Sequence, residues 1–196
     1  LTDLALNNTT YFKAAWENSF SLESHETKFH NMDGTKCMTR LMKNNFRDPE
    51  YVENESYQAL NLNYGNGTFC MTVVLPRKGV SLETVERKVD WSLLKPKHDP
   101  KISTEVVMEM PLFQTSNNRS IKEALKRCQI VKIWEANQFD GISEKIRLDD
   151  VLQNTTINVD ENGTEAACAV TYTTISICEP EEEIIRYMKV DRPFYY

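Results

Sequence analysis

The chain has 196 residues, 40% of them hydrophobic, and a formal net charge of −6 at pH 7. This length and composition are typical of a globular protein with one sizeable core. Acidic residues are spread along the chain and no basic stripe accompanies them, so a nucleic-acid partner is excluded. No apolar run approaches the roughly 20 residues that span a bilayer, and the sequence from Leu1 does not have the pattern of a signal peptide, so no membrane partner is expected.

Strands dominate the predicted secondary structure. Alternating or β-rich patterns predict them, in chain order, at 3–13, 36–42, 57–63, 68–75, 104–113, 155–161 and 185–196. Helical spacing predicts two helices, at 80–90 and 120–128. Ser81 and Ser120 offer serine caps, and Glu123 follows the second serine by three residues. The expected fold class is α+β, mostly β-sheet with a few helices.

A segment of small residues follows the strand predicted at 155–161. Its pattern keeps the period of a strand, and small or slim side chains stand on both of its faces. A strand with such side chains can enter between two others, whereas bulky residues or proline would block insertion. The segment consists of Gly163, Thr164, Glu165, Ala166, Ala167, Cys168, Ala169 and Val170. It therefore suits a loop that can become part of a sheet.

This segment resembles the hinge of the serpins, and other parts of the chain resemble the same family in the same order. The first strand is similar to a central-sheet strand that ends in Phe-Lys-Gly-x-Trp, here with Ala14 in place of the glycine and with Trp16 at the end. Further similar blocks lie at 29–34, 42, 74–79, 110–113, 139–142 and 191–194. The resemblance spans essentially the whole chain.

The resemblance implies a serpin fold that is incomplete in this chain, because the family's domain is roughly twice as long. The N-terminal helices and the last C-terminal strands are expected to be missing. Residues 1–196 are thus expected to form a single partial serpin domain, with the hinge and reactive centre loop at 162–184. Lacking two strands of the sheet, such a piece is not expected to inhibit by itself.

A serpin presents its reactive loop as bait to a protease. The protease's nucleophile attacks the loop and forms an acyl-enzyme, after which the hinge inserts into the central sheet and the protease is distorted. The resemblance therefore implies a suicide-substrate inhibitor of a serine or cysteine protease, a monomer that is not an enzyme and needs no cofactor. The alternative is a serpin-fold protein that does not inhibit, such as a carrier or chaperone, or an inactive fragment.

Two ways of counting locate the scissile bond at different places. The family's common spacing from the hinge puts Ile177 before the bond and Cys178 after it, whereas counting back from Pro193 leads to Glu182. The hinge count is preferred, because the sheet limits how many residues can insert. Ile177 would suit a protease with an apolar primary pocket, and Glu182 one that prefers acidic residues.

The resemblance also implies residues that support sheet opening and loop entry: Asn8, Trp16 and Gln153. Gln153 stands where most serpins carry a histidine bonded to an asparagine, here Asn8, and glutamine can also donate and accept. Trp16 is expected under the point of loop entry, and Phe12 is expected in the core with it. Gln129 stands where a glycine is usual, and we expect it to adopt a conformation that glycine takes more easily.

No arrangement of residues predicts catalysis or metal binding. His25, His30 and His98 lack the spacing of helical ligand pairs, and no nucleophile motif occurs. Five cysteines, an odd number without CxxC spacing, are interpreted as free thiols.

The compartment is left open by the sequence. The resemblance favours the extracellular space, while the odd cysteine count and the lack of a signal peptide leave an intracellular location open. Glycosylation sequons would be usable if the protein were secreted. They begin at Asn7, Asn8, Asn54, Asn66, Asn118, Asn154 and Asn162.

Overall fold

A computed structural model describes residues 4–89, 102–135, 138–139, 141–142, 146–164 and 182–196. The chain forms two compact units. The first comprises Leu1–Phe12 and Gln114–Asn158, and the second comprises Lys13–Phe113 and Val159–Tyr196. No helix among the described residues combines the length and the hydropathy needed to cross a membrane.

Strands dominate the described residues, as the sequence predicts. In chain order the elements are β1 (Leu4–Thr10), β2 (Ala14–Ala15), β3 (Ser21–His30), β4 (Lys36–Arg47), β5 (Tyr51–Glu53), β6 (Tyr57–Tyr64), β7 (Phe69–Pro76), α1 (Leu82–Lys88), β8 (Ile102–Pro111), β9 (Phe113–Ser120), α2 (Lys122–Arg127), a 3-10 turn (Lys132–Trp134), β10 (Leu148–Asp160), β11 (Gly163–Thr164) and β12 (Glu182–Lys189).

The first unit is built around β10, which pairs with both β1 and β9. Strands β1 and β10 run parallel, with a register that sets Leu4 opposite Leu148 and Thr10 opposite Thr155. Helix α2 follows β9 and is held to β10 by the hydrogen bond from Ile121 N to Val151 O, 2.9 Å. This backbone hydrogen bond fixes the N-terminal end of the helix to the sheet.

Helix α2 ends in a residue with a left-handed backbone. Gln129 has φ +63°, the conformation expected for it from the sequence. Its N–H donates to Lys126 O at 2.9 Å, and Ile130 N–H donates to Leu125 O at 3.0 Å. These two bonds form a Schellman motif, in which glycine is the usual residue at the left-handed position.

The second unit contains two sheets. Strands β12, β8, β4 and β3 form one, in that order, and β5, β6 and β7 form the other. Alternate residues of β8 face the core, where Val106, Met108 and Met110 are fully buried. Each fully buried aliphatic side chain of this kind contributes about 1.5–3 kcal/mol to folding.

Helix α1 covers part of the smaller sheet. Ser81 caps it, accepting the Thr84 N–H at 3.2 Å, as predicted. Val85 is fully buried in a cluster with Tyr57, Ala59 and Val74. The C-terminal segment lies against the same sheet, because Arg192 donates twice to Pro76 O, at 2.9 and 2.8 Å.

Several predicted boundaries are wrong. Strand β10 starts seven residues before the predicted 155, and β12 occupies Glu182–Lys189 rather than 185–196. Helix α2 has Ile121 at its N-cap without a side-chain bond, so Ser120 is not the cap. Ser120 lies one residue before the N-cap, where its Oγ donates to Asp150 Oδ1 and accepts the Lys122 N–H at 3.3 Å.

Strands β3 and β9 were not predicted. Polar and charged residues occupy most of both strands, so neither shows a clear alternation of apolar and polar residues. Pairing through the backbone makes them strands, since β3 pairs with β4 and β9 with β10. Strand preference depends on such context more than on the residues alone.

Candidate functional site

The first two residues of the predicted hinge, called the hinge below, are part of a sheet in the second unit. Gly163 and Thr164 form β11, which pairs antiparallel with Asp160 and Val159 at the end of β10. On its other side β11 pairs antiparallel with Ala15 and Ala14 of β2. The hinge therefore begins as a paired strand with neighbours on both sides.

Asp160 closes the turn that leads into the hinge. Its Oδ1 accepts the N–H of Asn162 at 2.8 Å and that of Gly163 at 3.1 Å. An aspartate side chain that bonds the backbone two and three residues ahead stabilises a tight turn. The direction in which the chain enters β11 is therefore fixed by one carboxylate.

Trp16 packs at the base of this turn and is 2% exposed. Its indole Nε1 donates to Asp160 O at 2.9 Å, and its backbone N–H donates to Asn162 O at 2.9 Å. The ring stacks on Tyr64, with centroids 4.3 Å apart, and meets Phe20 edge-on at 6.0 Å. The prediction that Trp16 is a core residue is therefore confirmed.

A hydroxyl pair joins the hinge to this aromatic cluster. Tyr64 Oη and Thr164 Oγ1 are hydrogen-bonded at 2.6 Å, and both residues are buried. Burial raises the pKa of Tyr64 to about 12, so its hydroxyl stays protonated at neutral pH. The sequence offered no signal for this contact, because Tyr64 and Thr164 lie in distant parts of the chain.

Asn8 and Gln153 are neighbours in the first unit. They lie opposite each other in the parallel pairing of β1 with β10. Asn8 is exposed and Gln153 is half-buried. No side-chain hydrogen bond joins the two in the part of the chain that the structure describes.

A polar cluster centred on Glu53 holds β12, the strand that follows the predicted reactive loop. Glu53 Oε1 accepts Arg186 Nε at 2.6 Å, and Oε2 accepts Arg77 Nη2 at 2.7 Å and Tyr51 Oη at 2.9 Å. Gln58 Nε2 donates to Tyr187 O at 3.0 Å. Two residues of β12 are thus bound to the smaller sheet.

The charge on Glu53 is favoured by its partners. Burial raises its pKa, but the bonds from Arg77 and Tyr51 and the positive charge of Arg186 outweigh burial. The net result is that the pKa of Glu53 lies below its ordinary value of 4.5. The cluster is therefore intact and ionised at neutral pH.

Other site residues predicted from the sequence lie outside the described residues. They are Glu165, Ala166, Ala167, Cys168, Ala169, Val170, Ile177 and Cys178. Glu182, the alternative residue before the scissile bond, is the first residue of β12 and pairs with Ile102.

Phe12 was predicted to lie in the core, and this is wrong. Phe12 is 38% exposed. Strand β1 ends at Thr10, so the alternation of its side chains does not extend to Phe12. Among the described residues, His25 and His30 are exposed on β3, and no group of three or more His, Cys, Asp or Glu side chains is placed to hold a metal ion. Cys37, Cys70 and Cys128 are exposed free thiols.

Comparison with known proteins gives consistent matches. The family model described as serpin (serine protease inhibitor) matches residues 1–196. An uncharacterised serpin-like protein of Thermococcus kodakarensis is 30% identical over 203 aligned residues, covering 100% of this chain and 46% of that protein. Antithrombin-III of Mus musculus is 30% identical over 176 residues, covering 86% of this chain and 38% of that protein.

A solved structure is similar over nearly the whole chain. The crystal structure of Serpin48 from the insect Tenebrio molitor superposes with a TM-score of 0.71 at 25% identity, covering 99% of this chain and 52% of the other. The chain thus spans less than half the length of the two relatives matched by sequence and about half of this structure.

Proposed function

Because the chain belongs to the serpin family and has the serpin fold, we propose that it is part of a suicide-substrate inhibitor of a protease. The target cleaves the reactive loop at 162–184, and the hinge then inserts into the sheet while the protease is still attached as an acyl-enzyme. The chain's own residues supply no catalytic group in this scheme. They supply a substrate segment and a sheet that can accept it.

The observation that carries the proposal is the paired start of the hinge. Gly163 and Thr164 are held between β10 and β2, and the buried Thr164 hydroxyl is bonded to Tyr64. The small residues that follow in the sequence run up to Val170. Insertion would extend a pairing that already exists, so the chain avoids the cost of starting a new strand.

The position of Glu182 supports Ile177 and Cys178 as the scissile pair. A protease binds its substrate as an extended chain with free backbone groups, and Glu182 is already paired in a sheet. Ile177 stands five residues before β12. The proposed target is therefore a serine or cysteine protease with an apolar primary pocket.

The role proposed for Asn8 and Gln153 is to hold β1 and β10 together until insertion begins. A strand that enters between β1 and β10 must separate their parallel pairing, including the position where these two residues face each other. The bonds of this ladder therefore resist early insertion.

The test uses the complete natural chain and a panel of elastase-like, chymotrypsin-like, acidic-specific and papain-like proteases. A covalent complex that survives a denaturing gel is expected with at least one protease of apolar specificity. Mass spectrometry is expected to show that the released peptide begins at Cys178. A released peptide that begins at Glu183 would refute the Ile177 assignment but not the inhibitory function.

The alternative function is that of a serpin-fold protein that does not inhibit. The observation that favours it is the lack of a side-chain bond between Asn8 and Gln153, where a histidine and an asparagine are bonded in most serpins. It predicts loop cleavage with no complex and no rise in thermal stability. That result would reject inhibition.

A further inference from the structure

The hairpin between β6 and β7 carries the sequon Asn66-Gly67-Thr68 at its tip. All three residues are exposed. Gly65 and Gly67 adopt φ +52° and +78°, which allow the chain to reverse within the turn. We propose that Asn66 is a site of N-linked glycosylation when this chain passes through a secretory compartment. The proposal does not depend on protease inhibition.

The Asn66 side chain and the Thr68 hydroxyl lie together on the surface of the turn. Thr68 Oγ1 donates to Asn66 Oδ1 at 2.6 Å, and Thr68 N–H donates to the same oxygen at 3.3 Å. The amide nitrogen Nδ2 makes no hydrogen bond to the described residues, so it faces solvent with the threonine hydroxyl beside it. An acceptor asparagine and its hydroxyl partner must be accessible together on a surface loop.

Four of the other sequons begin inside strands. Asn7 and Asn8 lie in β1, Asn118 lies in β9 and Asn154 lies in β10. Asn154 Oδ1 is buried and has no hydrogen-bond partner among the described atoms. Because Asn154 is half-buried, a branched glycan there would have to displace neighbouring side chains.

In each of the remaining two sequons, one side chain makes hydrogen bonds within the fold. Thr164, the hydroxyl residue of the Asn162 sequon, is buried and bonded to Tyr64. Asn54 Oδ1 accepts the N–H groups of Ser56 and Tyr57, at 2.8 and 3.0 Å, and so closes the β5–β6 connection. Asn66 alone among the seven combines an exposed turn, an exposed threonine and an amide that supports no other element in the described structure.

The modification is a group transfer from a lipid-pyrophosphate-linked oligosaccharide. A bond forms between Asn66 Nδ2 and the anomeric carbon of the sugar, and the bond from that carbon to the pyrophosphate oxygen breaks. The lipid pyrophosphate leaves with the electron pair, and the amide proton passes to a base of the transferring enzyme. The glycan is transferred to the emerging chain, before it folds. A chain folds and accumulates only if its glycan lies outside the fold.

The test is to secrete the complete natural chain, with a leader sequence, from a eukaryotic cell line. Enzymatic removal of N-glycans in heavy-oxygen water converts each occupied asparagine to a labelled aspartate, which peptide mass spectrometry then locates. Label at Asn66 in most secreted molecules is expected. In vitro translation with microsomes supplies the same readout if secretion is poor.

Matched variants separate the sequon from general effects on folding. Asn66→Gln and Thr68→Val should each remove one glycan-dependent gel shift, Thr68→Ser should retain part of it, and Asn54→Gln should leave it unchanged. Unlabelled Asn66 in folded, secreted protein would overturn the proposal. Label at Asn154 or Asn162 in folded protein would overturn the structural argument that selects Asn66.

Discussion

Tyr64 Oη and Thr164 Oγ1 lie 2.6 Å apart in the buried entrance to the hinge. A buried hydroxyl that loses its partner costs about 1–3 kcal/mol, whereas replacing both partners by apolar groups of similar shape is nearly neutral. We therefore expect Tyr64→Phe and Thr164→Val each to lower the free energy of unfolding by about 1–2 kcal/mol. The double variant should lose less than the sum of the two.

Urea unfolding of the complete natural chain measures this double-mutant cycle. Tyr187→Phe is the matched control, because the Tyr187 side chain is 70% exposed. Strict additivity of the two single variants would show that the hydroxyl pair contributes nothing as a pair.

The two faces of the hinge should respond differently to a charged side chain. Thr164 is buried, so the period of a strand places Ala166 on the same, inward face after insertion, and Ala167 on the other. Ala166→Arg is expected to abolish the covalent protease complex while the loop is still cleaved. Ala167→Arg, with the same charge and size one residue away, should retain much of the complex.

Densitometry of the complex and of the cleaved chain on denaturing gels gives the ratio of inhibition to turnover. Equal loss in both variants would reject the assigned faces. If the natural chain and both variants all fail to form a complex, the inhibitory proposal itself is rejected.

Glu53 should make stability depend on acid pH. Its folded-state pKa lies below the ordinary 4.5, so its contribution to stability is complete above pH 4.5 and is lost as pH falls through the lower folded-state value. Glu53→Gln keeps the shape but not the charge. We expect it to cost about 1–2 kcal/mol at pH 7, because hydrogen bonds to charged groups are the stronger ones.

Below pH 4.5 the difference between the natural chain and Glu53→Gln should shrink. Urea unfolding at a series of pH values from neutral to acid measures it. Glu109→Gln is the control, because its partner Lys189 is 49% exposed and surface pairs contribute little. A difference that stays constant through the acid range would contradict the assigned pKa direction.

Gln129→Gly should stabilise the first unit. A residue other than glycine in the left-handed region costs about 1 kcal/mol, and Gln129 has φ +63°. Thermal unfolding is expected to show a higher midpoint for Gln129→Gly. Cys128→Gly is the neighbouring control with φ −79°, where glycine only adds freedom to the unfolded chain, so its midpoint should fall.

The sequence predicted the strands in which the apolar pattern of the residues themselves shows that they form a strand. Strands β6 and β7 were found within one residue of their ends, since their apolar residues face a buried sheet. The left-handed Gln129 was also predicted, because the resemblance marked a glycine position. Strands β3 and β9 were missed, because their pairing depends on partners rather than on their own residues.

The same distinction holds at the candidate site. The burial of Trp16 was predicted from local patterns, and the hinge remains a prediction from the same kind of pattern. The bonds of Tyr64 to Thr164 and of Glu53 to Arg186 join residues at least 100 positions apart along the chain. No local pattern shows which distant side chain will be the partner. Only the assembled sheets bring these groups together.

The stack of Trp16 on Tyr64 also gives the molecule an internal optical signal. Trp16 is one of three tryptophans, and its ring contacts Tyr64, whose hydroxyl is hydrogen-bonded to Thr164. A movement of Thr164 relative to Tyr64 is therefore expected to change the surroundings of a fluorescent side chain. The course of loop entry could be followed by stopped-flow fluorescence of the unlabelled protein, with Trp16→Phe as the reference that keeps the other two tryptophans but lacks this signal.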